Sequence, residues 1–214
     1  MAYETILFDL DGTLTDSGPG IMNAVRYALK KMGMEETDVS RLRSFIGPPL
    51  HENFSKLYNM DYDTAWVAVN NFREYYLDKG WMENEPYPGI PELLRDLREA
   101  GKTLMVATSK PDATARQVLE HFDLTKYFHR IQGATFQDTH CQKADVIRMV
   151  LTECPHSEPV VMVGDRENDC EGAAKNAIPC IGVLYGYGDR PELEGAGAAQ
   201  IAPTVEDLRA LLLG

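Results

Sequence analysis

The spacing of apolar positions changes rhythm along the chain. A short apolar run, "TILFD" at residues 5–9, is closed by the turn signal "DGT" and predicts a buried strand. Apolar residues then recur at helical spacing. Ile21, Met22, Val25, Ala28, Leu29 and Met32 predict a helix stopped by Gly33. After the break "IGPPL", Ala65, Val69, Phe72 and Tyr76 share one face of another helix that ends before Gly80, so residues 15–82 are expected to be mostly helical.

From "ENEPYPGIP" onward, short apolar runs alternate with helical patterns. Pro91 opens "PELLRDLREAG", "TLMVATS" reads as a strand, and Pro111 opens "PDATARQVLEHF". Strands are expected in "YFHRIQG", "PVVMVGD", "CIGVLYG" and "AQIA", and helices near 142–153 and 168–177. Thr204 and Asp207 stand at capping-box spacing ahead of "TVEDLRALLL". Such alternation predicts an α/β fold with a doubly wound parallel sheet. The economical division is an α/β core of residues 1–14 and 83–214, interrupted after its first strand by a helical domain at 15–82. Linkers near 15–19 and 81–88, with Gly18, Pro19, Gly20, Pro86 and Pro88, are candidate hinges.

Composition narrows the function classes. The 214 residues are 44% hydrophobic and 25% charged, as expected of a globular chain. A formal net charge of −12 argues against nucleic acid or an anionic membrane as partner, while a small anion would need a local cation or helix N-termini. The apolar runs are too short to span a membrane, and "MAYETILFDLDG" carries acids where a targeting peptide carries bases, so a cytoplasmic location is expected. Cys141, Cys154, Cys170 and Cys180 form no C-x-x-C pair and read as reduced thiols; His140 beside Cys141 lacks a partner at ligand spacing.

Ligands of doubly wound sheets bind beyond the carboxyl ends of the strands. The first strand delivers Asp9 and Asp11 there, two residues apart and therefore on the same side of an extended chain. "TLMVATS" delivers Thr108 and Ser109, and "PVVMVGD" delivers Asp165, with Asp169 at the start of the next helix. Clustered carboxylates are costly to keep ionised. A bound cation is the simplest remedy, and hard oxygen ligands suit Mg²⁺.

The run "DLDGTLTDS", Thr108 at a strand end, a later lysine and "GDRENDC" together resemble the haloacid dehalogenase superfamily of aspartate-nucleophile phosphatases. "PYPGIPELLRDLREAGKTLMVATSKP" resembles its phosphoglycolate-phosphatase-like branch, and residues 15–82 correspond to that branch's helical cap. The resemblance implies that Asp9 attacks phosphorus to form an aspartyl phosphate and that Asp11 serves as acid and then base. Repulsion within the pair is expected to leave a proton on Asp11 while metal-bound Asp9 stays ionised. Thr108, helped by the Ser109 amide, would bind the transferring group, and Lys143 would neutralise it. Asp9, Asp165 and the Asp11 backbone carbonyl would hold Mg²⁺, with Asp169 acting through a metal water or by orienting the site.

Two features depart from the family pattern: Ser109 stands where many relatives have Asn, and Ala144 follows Lys143 where many have Pro. Lys110 is a nearby competitor for the role of Lys143. In the cap, "RSFIGPPLHENF" offers Gly47 in a stiff turn with Pro48 and Pro49, Arg43 as an anion contact and His51 as a weaker one. The expected partner is a small phosphorylated metabolite (phosphoglycolate, a sugar phosphate or a nucleoside monophosphate), and the protein is expected as a monomer or homodimer. A phosphomutase of the β-phosphoglucomutase type would need a second phosphate anchor, for which Arg43 is the obvious candidate. A non-enzymatic phospho-aspartate receiver would share the acids, hydroxyl and lysine, but receivers resemble a compact domain without the insertion.

Overall fold

The first apolar run becomes β1 (Thr5–Phe8), in which Ile6, Leu7 and Phe8 have no solvent exposure. Successive side chains of a strand point to opposite faces, so this strand needs a sheet covered on both sides. The computed structural model, which describes residues 3–134, 142–154 and 159–214, provides one. The chain divides into two compact units, Met1–Thr15 with Pro86–Gly214 and Asp16–Glu85. Where it passes from one to the other, β2 (Thr15–Asp16) pairs with β3 (Glu85–Pro86).

The unit Asp16–Glu85 is built from α1 (Gly18–Lys31), α2 (Val39–Arg43), α3 (Leu50–Tyr58) and α4 (Tyr62–Asp78). Ile21, Val25, Ala28 and Leu29 of α1 are buried, as are Ala65, Val69, Phe72 and Tyr76 of α4, and Phe45 and Phe54 pack with ring centroids 4.7 Å apart. Asp38 and Asp61 cap α2 and α4 by accepting the backbone N–H groups of Ser40 and Thr64, each at 2.8 Å. Gly18, Pro19 and Gly20 are not a linker but the first turn of α1. Pro19 suits that turn because its missing N–H is not needed there. A Cβ on Gly20 would lie 1.9 Å from the Gly80 carbonyl oxygen, so this glycine is explained by close packing rather than by bending.

The other unit continues through α5 (Ile90–Glu99), β4 (Thr103–Pro111), α6 (Asp112–His121), β5 (Arg130–Ala134), α7 (Lys143–Leu151), β6 (Val160–Gly164), α8 (Glu167–Lys175), β7 (Cys180–Val183), α9 (Arg190–Gly195), β8 (Gln200–Ala202) and α10 (Val205–Leu213). The strands form one parallel sheet in the order β5-β4-β1-β6-β7-β8. Chain order runs outward from β1 on one side and resumes on the other, which makes the carboxyl end of β1 the switch point. Leu7, Met105, Ala107 and Met162 pack with Val146, Ile147 and Val150 of α7 and Ala173 of α8 in a core cluster.

Two elements differ from the sequence pattern. β4 runs on through Lys110 to Pro111, and the short α9 had no apolar periodicity to announce it. Thr204 and Asp207 form the expected capping box. Cys154, Cys170 and Cys180 are buried free thiols, whereas His140 and Cys141 lie outside the described residues. Among the described residues no helix is long and apolar enough to cross a membrane.

Candidate active site

Register decides what meets at the switch point. Phe8 pairs with Val106 on one side and Val163 on the other, so the next residue, Asp9, emerges between the ends of β4 and β6. Its backbone N–H donates to the Val163 carbonyl at 2.9 Å, and the residue is only 5% exposed. Lys143, in the first turn of α7, places Nζ 2.8 Å from Asp9 Oδ1, 2.8 Å from Asp169 Oδ1 and 3.1 Å from the Ala107 carbonyl oxygen that accepts from it. The Asp169 carboxylate also accepts the Arg166 N–H at 3.1 Å, which closes the N-terminus of α8 and fixes the side chain's direction.

Asp165, just beyond β6, is fully buried. Its carboxylate accepts the Tyr187 N–H at 2.9 Å and the Thr13 hydroxyl at 3.3 Å. The Thr13 hydroxyl therefore bonds across the site, while its backbone N–H donates to the Leu10 carbonyl within the loop. Gly12, at φ 86, is required here twice over: the conformation is left-handed, and a Cβ would lie 2.2 Å from the Asp165 carboxylate. The "LYGYG" segment thus closes on Asp165, with the Tyr185 hydroxyl donating to the Thr13 carbonyl at 3.1 Å. The sequence alone could not assign the Tyr187 amide, because a backbone donor leaves no residue-type signal.

Charge is unbalanced around Lys143. Asp9, Asp165 and Asp169 offer ligand oxygens that all lie within 4.8 Å of one another, against one ammonium. Burial pushes the Asp9 carboxyl up to about 6, with Lys143 opposing the rise and Asp169 adding to it. Asp165 is driven well above its ordinary range by burial and then by the charges of Asp169 and Asp9. Burial works against the charge on Lys143, but Asp169 and Asp9 more than offset it and hold the ammonium above its ordinary range. Asp9 Oδ1 and Asp169 Oδ1 are buried, and each is met by the Lys143 ammonium at 2.8 Å. Three buried acids facing one lysine lack two positive charges, and an all-oxygen donor set with that deficit fits a hard divalent cation.

The second lysine does something the sequence did not indicate. Lys110 Nζ donates to both Asp11 oxygens, each at 2.9 Å, in a pair that is 4% and 13% exposed at the side chains. It therefore serves Asp11 while Lys143 serves Asp9. Thr108 is buried, and its Oγ accepts the Lys110 N–H at 3.2 Å; Ser109 is half-buried beside it. Asp9, Asp11, Lys143, Asp165 and Asp169 are carried by the strand and helix ends around this switch point, and Thr108 and Ser109 lie within the neighbouring β4.

Arg43 and Gly47 belong to the other unit. Arg43 is the exposed last residue of α2, and Gly47 takes φ 104 in the turn before α3. In that unit the ring of His51 lies 3.0 Å from the Tyr62 carbonyl oxygen and packs against Tyr62 and Trp66, each at 4.8 Å between centroids.

Comparison with known proteins agrees with this geometry. The chain is 43% identical over 213 residues to a 5′-nucleotidase of Pseudomonas aeruginosa, covering 99% of this chain and 96% of that one. It is 37% identical to the tyrosine-protein kinase PtkA of Mycobacterium tuberculosis, over 98% of this chain and 72% of that protein. It is 31% identical to a phosphoglycolate phosphatase of Aquifex aeolicus, over 85% of each. The crystal structure of a predicted phosphatase from Clostridium acetobutylicum superposes with a TM-score of 0.94 at 44% identity, covering 100% and 99% of the two chains. The sequence profile of the haloacid dehalogenase-like hydrolases matches residues 6–183. With that match spanning most of the chain and phosphatase names among its relatives, this protein is a haloacid dehalogenase-like hydrolase of the phosphatase type.

Proposed function

We propose that the protein is a Mg²⁺-dependent phosphatase that hydrolyses a small phosphate monoester, foremost a nucleoside monophosphate, through an aspartyl phosphate on Asp9. One observation carries the reading: a buried carboxylate at the switch point, paired with one lysine and flanked by two further acids. Asp9 attacks phosphorus as the bond to the leaving oxygen breaks, and Asp11 gives that oxygen a proton. Asp11 then takes a proton from the water that cleaves the aspartyl phosphate, which releases phosphate and restores Asp9. Thr108 and the Ser109 amide bind the phosphoryl oxygens, while Lys143 holds Asp9 in place and offsets the charge around it.

Asp9, Asp165 and the Asp11 carbonyl would hold Mg²⁺, with Asp169 orienting Lys143 behind them. Bound there, the ion would supply positive charge at the transferring phosphoryl group. A cytoplasmic enzyme meeting soluble metabolites suits the chain's acidic surface. The nucleotide preference is supported by the 43% identical 5′-nucleotidase, and phosphoglycolate is the second candidate because of the more distant phosphatase.

The test is phosphate release from AMP, UMP, 2-phosphoglycolate and glucose 6-phosphate, with Mg²⁺ or with EDTA, alongside Asp9→Asn. Release is expected to be fastest from the nucleotides, to require the metal and to vanish in the variant. Undiminished release by Asp9→Asn would overturn the covalent route in favour of direct attack by water.

A further inference from the structure

A bulge in β4 aims Lys110 at Asp11. Ala107 pairs with Gln132, but the next pairing is Pro111 with Ala134, so β4 spends two more residues than β5 over the same stretch. The bulge is held on three sides. The Lys110 N–H donates to Thr108 Oγ at 3.2 Å, the Gly133 N–H donates to Asp112 Oδ1 at 3.0 Å, and Arg116 Nε donates to Asp112 Oδ2 at 2.8 Å. Gly133 leaves the room: a Cβ there would lie 2.5 Å from the Lys110 carbonyl oxygen and from the Asp112 backbone. The result is a lysine 7% exposed whose ammonium spans both oxygens of a single carboxylate.

We propose that Lys110 is a positioning residue for the reaction: delivered by the bulge, its ammonium sets the direction in which the Asp11 carboxyl points, and so the alignment of the proton transfers made by Asp11. The proposal rests on the acid and base role given to Asp11 above. Lys110 spans both oxygens, so the ammonium fixes the plane of the carboxyl and the directions left open on each oxygen for a leaving group. Without Lys110 the carboxyl samples other rotamers, and proton delivery suffers more than substrate binding.

The test compares Lys110→Met, Lys110→Arg, Asp11→Asn and the Lys110→Met/Asp11→Asn double variant in the full chain. Two substrates differ in their need for a proton: glycerol 3-phosphate, whose alkoxide must be protonated, and p-nitrophenyl phosphate, whose leaving group departs without one. Lys110→Met is expected to lower kcat for glycerol 3-phosphate roughly tenfold to a hundredfold with KM within about twofold, while first-turnover release of nitrophenolate stays within about threefold. Lys110→Arg is expected to recover part of the loss, and the double variant to be no slower than Asp11→Asn. Equal slowing of both first turnovers, a loss confined to KM, or additive losses in the double variant would overturn the proposal and give Lys110 a direct contact with substrate. Asp11→Asn as fast as the parent would instead remove the role of Asp11, and the proposal with it. Should Lys110→Met alone fail to fold, the double variant against Asp11→Asn still decides, since it leaves no carboxylate without its ammonium.

Discussion

The core contains two lysines with nearly identical contact distances to carboxylates and different tasks. Lys143, on a helix, meets Asp9 and Asp169 at 2.8 Å with Asp165 close behind; Lys110, on a bulged strand, meets both oxygens of Asp11 at 2.9 Å. The first lysine is outnumbered by the buried acids around it. Distance alone does not say what an ion pair does. The number of charges sharing a dry volume decides whether all of them can remain ionised. Around Lys143 they cannot without further positive charge, and the raised Asp9 and Asp165 carboxyls record that.

The largest expected effect tests whether the outnumbered cluster is the reacting one. Asp9→Asn should lower phosphate release by at least about 10³-fold, whereas Asp11→Asn should leave a slow phosphoenzyme-forming activity visible as trapped aspartyl phosphate. Stability should separate the two lysines next. Lys143→Met removes the ammonium that pairs with both Asp9 and Asp169 and should cost roughly 3–5 kcal/mol in urea unfolding near neutral pH, against about 1–3 kcal/mol for Lys110→Met, which takes the ammonium from the somewhat more exposed Asp11. Equal costs would erase the contrast.

The unbalanced cluster should also show in pH. The Asp9 carboxyl rises from an ordinary 3.8 to about 6 in the folded chain. Below both values it is protonated, folded or unfolded, and contributes nothing. Between them the folded chain keeps a proton that the unfolded chain has lost, so stability falls as pH rises, by about 3 kcal/mol in total, and the loss is complete above about 6. The wild-type protein in EDTA, measured against Asp9→Asn, should show that decline. A flat difference between pH 4 and 6.5 would remove the argument for charge deficit. A last expected effect is thermal: Mg²⁺ at about 100 times its Kd should stabilise the protein by about 2.7 kcal/mol, and Asp165→Asn should abolish most of the gain.

Much of this was legible in the chain because the relevant signals are one-dimensional. "TILFD" is apolar because β1 is buried on both faces, and the acids at 9, 11 and 165 sit at strand ends where a parallel sheet presents them. Lys143 was readable from motif order, and Lys110 was readable only as its rival. Their division of labour depends on the two-residue slip between β4 and β5, which leaves no trace in apolar spacing. The Gly18–Gly20 segment misled for a related reason, since glycine serves close helix packing as readily as a bend. The helical unit's polar residues remained the least readable. Arg43 lies on an exposed helix end, where the sequence alone cannot separate a ligand contact from solvation.

The strand order carries a consequence for biosynthesis. β1 leaves the ribosome before either neighbour, and its hydrogen-bonding partners begin at Thr103 and Val160. The Asp16–Glu85 unit, being contiguous, can fold on the emerging chain, while the sheet must wait for most of the polypeptide to be made. Until then Asp9 and Asp11 remain hydrated, and a truncated translation product ending before β6 would contain both carboxylates and no assembled centre.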